Sequence, residues 1–279
     1  MPLRIMASRH SAFYSPLLCA IKFLRDEGQD VAYSVLAAGQ RSHVLIRDGD
    51  VDIMQSAVSS NWKPRERGVE PLPVHFAQIN CRDGFFLVGR QPDSAFEWKK
   101  LEGKTLLADH GLQPLVMLQY TVKQNGADWN KIKVVDARTP EKMEAAFIAG
   151  SGDYLHQQAP VGAGEVVASV GASVPAVAFS SLCCARAFLK TAAYQSFLIT
   201  YTRAREWVRS APVEEVAAAV ASFFPDDARL GDAITRYQAL GCWAGTIEIP
   251  RDGYEQALNI FQTAGEITWR HRYDEVVGS

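Results

Sequence analysis

The chain has 279 residues, 48% of them hydrophobic and 22% charged, with a formal net charge of −2. This balance supplies enough apolar material for one or two domains with sizeable cores. It excludes the basic footprint expected of a nucleic-acid or anionic-membrane binder, and no apolar run reaches the ~18 residues that a membrane-spanning helix needs.

Leu3–Ala7 reads as a short strand. The loop SRHSAFYS follows, with Ser15 placed to cap a helix and Pro16 at its first position. The segment PLLCAIKFLRDEG sets Leu17, Leu18, Ile21 and Leu24 on one helical face, and Gly28 stops it. Val31–Leu36 is a second strand. AAGQRS turns into a helix through Val44, Leu45 and Ile46 that ends at Gly49, and Val51–Met54 is a third strand. The order β-α-β-α-β favours parallel strands with right-handed crossovers. Val74–Ile79 and Phe85–Val88 are further strands.

The pattern then restarts. Thr105–Ala108 is a strand, DHGLQP a loop, and a helix runs through Met117, Leu118 and Val122 to Gly126. Val134–Asp136 is a strand, Pro140 opens a helix through Met143, Ala146 and Phe147 to Gly150, and Tyr154–Leu155 is a strand. The decapeptides DGDVDIMQSA (48–57) and GSGDYLHQQA (150–159) are therefore the same helix-stop, turn and third strand of two similar α/β lobes. Their aspartates, Asp52 and Asp153, are expected to fix those turns. From about Ala185 the chain is mainly helical, and this tail is expected to pack back on the first lobe.

Cys19, Cys81, Cys183, Cys184 and Cys242 are odd in number and show no zinc-site or redox-pair spacing. They read as buried small hydrophobes. The N-terminus, MPLRIMASRH, lacks the apolar core and cleavage site of a signal peptide.

The stretch HSAFYSPLLCAIKFLRDEGQDVAYSVLAAGQRSHVLIRDGDVDIMQSAVSS resembles the opening of solute-binding proteins of the nitrate/sulfonate/taurine and thiamine-pyrimidine class. FEWKKLEGKTLLAD resembles their linker into a second lobe, and PEKMEAAFIAGSGDYLHQQAP their second-lobe half-motif. The resemblance runs in order through residues 3–180. It implies an α/β, two-lobed periplasmic-binding-protein-like (venus flytrap) fold, each lobe a mostly parallel sheet flanked by helices. Residues 1–84 plus 186–279 would form lobe one and 85–185 lobe two, with the ligand cleft between them. It also implies the substrate-binding component of an ABC-type uptake system, which captures a small polar, anionic or heteroaromatic solute by lobe closure. The partner would be an ABC permease if the chain is exported. A periplasmic location follows from the resemblance, and a cytoplasmic one from the N-terminus as it stands.

In an open α/β sheet, ligands bind outside the carboxyl ends of the strands, where helix starts offer unpaired N–H groups. In lobe one this selects Ser8, Arg9, His10, Ser11 and Phe13, then Gly39, Gln40 and Ser42, then Gln55, Ser56 and Ser59. In lobe two it selects Asp109, His110 and Gly111, then Asp136 and Arg138, then His156, Gln157 and Gln158. Small donors, Arg/His pairs and an aromatic ring suit a compact polar ligand. Competing readings are specific: Ser11 and Ser42 as helix caps, Arg9 as a rim ion pair, Phe13 or Tyr14 as a hydrophobic staple, and Trp62 as either a stacking surface or core. The three histidines lack the companion ligands of a metal site, and no metal or cofactor is expected.

No catalytic triad, P-loop or dinucleotide fingerprint is present. The alternative is a cytoplasmic enzyme or ligand sensor on the same fold, of the thiamine-pyrimidine, menaquinone-pathway or aromatic-acid decarboxylase type. The thiamine-pyrimidine synthases carry a Lys, and a His four residues later, after the third strand. Here those positions are Ser56 and Ser60, which argues against that chemistry.

Overall fold

The computed structural model describes residues 1–108, 112–136, 139–225 and 227–278. Two five-stranded sheets organise the molecule. The first lobe begins with β1 (Leu3–Ala7), α1 (Ser15–Asp26), β2 (Val31–Val35), α2 (Ser42–Arg47), β3 (Ile53–Ser56), α3 (Trp62–Glu66) and β4 (Val74–Asn80). The second is built from β5 (Phe85–Gly89), β6 (Thr105–Ala108), α4 (Leu112–Gln124), β7 (Lys133–Val135), α5 (Pro140–Ile148), β8 (Tyr154–Gln158) and β9 (Glu165–Ser169). The chain then returns through β10 (Ser180–Cys184) to the helices α6 (Ala192–Ser210), α7 (Val213–Val220), α8 (Leu230–Leu240), α9 (Arg251–Thr263) and α10 (Tyr273–Val276).

The sheet orders are β2-β1-β3-β10-β4 and β7-β6-β8-β5-β9. The parallel part of each sheet uses one register. Leu3 pairs with Val31 and Thr105 with Lys133; Ile5 pairs with Ile53 and Leu106 with Tyr154. β3, β4, β5 and β10 are buried along their whole length, whereas β2, β7 and β9 keep exposed or half-buried residues. Leu17, Leu18, Ile21 and Leu24 of α1 are buried against the sheet and α6, as the 3.6-residue period requires. The helical tail packs on lobe one, with Phe197, Tyr201 and Val208 of α6 buried in its core.

Several boundaries differ from the sequence reading. The third strand of each lobe runs further than expected, over Ile53–Ser56 and Tyr154–Gln158. Gln55, Ser56, His156 and Gln157 are therefore strand residues, not members of a following loop. Ser15 lies inside α1, where its hydroxyl donates to Ala12 O at 2.7 Å, and Ser11 instead caps the short 3-10 turn before it. Ser42 opens α2 without capping it. β9 and β10 have no counterpart in the sequence reading. The division that put residues 180–184 with the second lobe is corrected by β10, which inserts antiparallel between β3 and β4 of the first sheet.

Two crossovers join the lobes, one near residues 81–84 and the other spanning 170–179. They are laced together: Val177 N–H donates to Cys81 O, Phe179 N–H to Asn80 O, and Arg82 to Gly171 O, all at 3.0–3.1 Å. Asp83 is fully buried between them, and its Oδ1 accepts the Phe85 N–H at 2.7 Å. Burial pushes its carboxyl well above the usual carboxylate range, against the smaller lowering by the Phe85 N–H.

Candidate ligand-binding site

The carboxyl ends of β1 and β2 face those of β8 and the helix start of α5 across a cavity of about 680 Å³. Lobe one contributes Ser8, Arg9, His10, Ser11, Val35 and Leu36. Lobe two contributes Phe85, Gln157 and Gln158 at the floor, and Pro140, Met143 and Glu144 on one wall. The tail closes the rim with Phe224, Asp227 and Arg229. A larger hollow of about 820 Å³ opens between α2 and the Pro71–Pro73 segment. Its lining includes Pro73 and Ala185, at the sheet edge opposite the strand ends that open toward lobe two. The inter-lobe cavity is therefore the candidate site.

The floor is donor-rich. Gln157 is 5% exposed, and the side-chain amide nitrogens of Gln157 and Gln158 are buried with no hydrogen-bond partner among the described residues. Buried amide donors cost free energy until an acceptor meets them. The Arg9 guanidinium stands 5.9 Å over the Phe85 ring, and Phe85 also stacks on the buried His156 ring at 4.7 Å. His156 is fully buried and packs against the floor residue Phe85 without lining the cavity.

Gln55 organises the β1 loop. Its Oε1 accepts from both the Ser8 backbone N–H (3.0 Å) and the Ser8 hydroxyl (2.6 Å). The Tyr14 hydroxyl faces Ser8, Gln55 and Gln158, and burial raises its pKa. His10 is a strap: its Nε2 lies 2.7 Å from Phe223 O and its Nδ1 3.2 Å from Tyr33 Oη. A carbonyl only accepts, so Nε2 donates to Phe223 O, and Nδ1 shares a hydrogen bond with the Tyr33 hydroxyl. The ring packs on Phe224 at 4.4 Å, which ties the β1 loop to the tail at the cavity rim.

Of the residues selected from sequence, Ser8, Arg9, His10, Ser11, Gln157 and Gln158 line the cavity, Gln55 bonds to Ser8, and His156 stacks on Phe85. The Ser56 hydroxyl is turned to Ser60 at 3.0 Å. Gln40 lies in a neighbouring hollow on lobe one and accepts the Ala37 N–H. Phe13 does not reach the cavity. It is fully buried and packs against Tyr14, Phe179 and Tyr237, because the aromatic ring gains more in that cluster than at a polar rim. Trp62 is core, donating to Tyr254 Oη at 3.1 Å. Asp109, His110, Gly111 and Arg138 lie outside the described residues. Sequence reasoning missed Phe85, Glu144, Phe224 and Arg229. The last two come from the tail, which carries no local signal for a rim role.

The lobes are held together around the cavity. The Tyr237 hydroxyl donates to Ala159 O at 3.0 Å, the Ser59 hydroxyl to Gln113 Oε1 at 2.6 Å, and Gln113 Nε2 to Phe179 O at 2.6 Å. At the rim Arg229 of lobe one reaches Glu144 of lobe two at 3.5 Å and its own neighbour Asp227 at 3.3 Å. No group of His, Cys, Asp and Glu that could hold a metal occurs among the described residues.

No family model matches the sequence. Over 96% of this chain and 85% of the relative, it is 24% identical to YtlA of Bacillus subtilis (strain 168), a candidate binding protein. The fold superimposes on the ligand-binding component of an ABC-type import system from Staphylococcus aureus, crystallised with zinc bound, with a TM-score of 0.76 at 13% identity. That match covers 100% of this chain and 96% of the other. It also superimposes on the periplasmic aliphatic sulphonate-binding protein SsuA from Escherichia coli, with a TM-score of 0.71 at 18% identity over 95% and 90% of the two chains. The chain has the two-lobed α/β fold of these solute-binding proteins, as the resemblance in its sequence implies. No helix among the described residues is long and apolar enough to cross a membrane.

Proposed function

We propose that this chain is the solute-binding component of an ABC-type import system, and that it captures a small acceptor-rich ligand between its lobes. The observation that carries the reading is the buried, unmatched amide donor of Gln157, with the Gln158 amide beside the Tyr14 hydroxyl and the Arg9 guanidinium in the same cavity walled by both lobes. A ligand with a carboxylate, sulfonate or comparable oxygen-rich end would satisfy those donors. Its apolar or aromatic body would lie against Phe85, Met143 and Phe224. Capture would follow from differential affinity: the ligand touches both lobes only when they are closed, so binding shifts the population toward closure. The closed form would then dock on a permease, and the location would be outside the cytoplasmic membrane.

The test is gentle purification and native mass spectrometry, followed by denaturation to identify any released molecule. Calorimetric titration with alkanesulfonates, aromatic carboxylates and pyrimidines comes next. The expected result is one unmodified ligand per chain, with affinity falling about 10²-fold in Arg9→Ala and about 10-fold in Gln157→Ala, the range for lost charged and neutral hydrogen bonds. Conversion of a bound compound to a new mass would replace this reading with the enzyme.

A further inference from the structure

The sequence spacing gives no redox pair, yet folding brings two cysteines together at the hinge. Cys81 follows β4 in the first crossover, and Cys242 follows α8 in the connector toward α9. They are 161 positions apart in the chain. The Cys81 backbone N–H donates to Cys242 O at 2.9 Å. With the amide nitrogen about 1.46 Å from its own Cα and the carbonyl oxygen about 2.4 Å from its own, this bond holds the two Cα atoms no more than about 6.8 Å apart, within reach of the roughly 4.4–6.8 Å that a disulfide spans. The Cys81 sulfur lies on the Cys242 side of its own backbone, 3.2 Å from Gly241 O and 3.4 Å from Cys242 O. Cys81 is half-buried and open to a reagent, whereas Cys242 is fully buried. The other three cysteines are buried in α1 and β10.

We propose that Cys81 and Cys242 are a disulfide-forming pair that reversibly ties the first inter-lobe crossover to the α8–α9 connector. The half-buried Cys81 thiolate attacks one sulfur of an external disulfide such as oxidised glutathione. A Cys81–glutathione bond forms and one glutathione thiolate leaves. The Cys242 thiolate then attacks the Cys81 sulfur, closes the internal disulfide and expels the second glutathione thiolate. Two protein thiols are oxidised, one external disulfide is reduced to two thiols, and the two protons pass to the released thiolates. Burial raises the Cys242 thiol well above its usual range, so the second step is the slow one and proximity drives it. The bond would sit two residues from Asp83 and so stiffen the crossover about which the lobes turn. This inference is independent of the ligand reading.

The experiment uses the full chain in glutathione buffers of graded ratio, quenched with acid, alkylated and digested. The expected product is a linked Cys81–Cys242 peptide pair, with two fewer alkylated thiols and an intact mass lower by two hydrogen atoms. Cys242→Ala should stop at a Cys81–glutathione adduct, and Cys81→Ala should give neither species. If the wild-type chain ends as the glutathione adduct, keeps both thiols alkylatable, or links either cysteine elsewhere, the proposal is overturned. The wild-type measurement needs no variant, so a poorly folding Cys242→Ala does not blunt the test.

Discussion

Asp52 and Asp153 make the same bond at the same place in the two lobes. The Asp52 carboxylate accepts the backbone N–H of Arg4 at 2.8 Å, and the Asp153 carboxylate accepts that of Thr105 at 2.8 Å; each pair is 48 residues apart. Each aspartate thus clips the turn before the third strand to the start of the first strand. Asp52 additionally holds the Arg4 guanidinium through two oxygens, at 2.7 and 3.0 Å. Removing either carboxylate orphans a backbone donor at the sheet margin. We expect Asp153→Ala to cost about 1–2 kcal/mol and Asp52→Ala about 2–3 kcal/mol, since both lose a bond to a carboxylate and Asp52 loses the Arg4 fork as well. Urea unfolding of the two variants checks the order; equal midpoints would show that the Arg4 fork contributes nothing.

The rim ion pair crosses over a glycine. A Cβ at Gly162 would stand 1.6 Å from Glu144 Oε1 and 2.1 Å from an Arg229 nitrogen. Those atoms are the ends of flexible side chains, so Gly162→Ala should displace the pair and leave the fold intact. The pair is partly exposed and contributes about 0–1 kcal/mol, so stability should change little. The ligand-free lobes should open, read as a larger radius of gyration by small-angle scattering. An unchanged radius would remove this pair from the closing machinery.

The hinge leaves no such room. A Cβ at Gly171 would lie 2.0 Å from the backbone oxygen of Asp83, and one at Gly84 would lie 2.3 Å from the fully buried Phe13 ring. Neither neighbour can retreat without moving a crossover or the aromatic core. Gly84→Ala should destabilise by roughly 1–3 kcal/mol, the range for overpacking, and Gly171→Ala by at least as much. Thermal melts in which both variants match wild type would contradict this packing.

Asp83 makes the stability of the hinge depend on pH. Its carboxyl is raised in the folded state by burial, whereas the unfolded chain titrates it near pH ~4. Above that pH the unfolded state binds fewer protons than the native state, so this residue's contribution falls as pH rises toward the folded value. Asn at this position keeps an acceptor for Phe85 N–H and does not titrate. Asp83→Asn should therefore gain on wild type as pH is raised from about 4 toward neutral, measured as a growing difference in urea midpoint. A difference that stays flat across that range would place the proton elsewhere.

Much of this molecule was legible along the chain. Local periodicity and the Gly28, Gly49, Gly126 and Gly150 stops mark the two β-α-β-α-β blocks, because helix and strand faces are written in neighbouring residues. The repeated Asp52 and Asp153 strings mark the equivalent turns, and the strand-end rule selects Ser8–Ser11 and Gln157. What the sequence could not decide rests on long-range contact. β10 leaves the second lobe because its apolar SSLCC run fills the slot between β3 and β4, a choice that depends on sheet partners far away in the chain. Phe13 becomes core and Phe224 with Arg229 become rim only once the tail has folded back over the first lobe. The meeting of Cys81 with Cys242 likewise has no local signature, since it is the packing of α8 against the hinge that sets their distance.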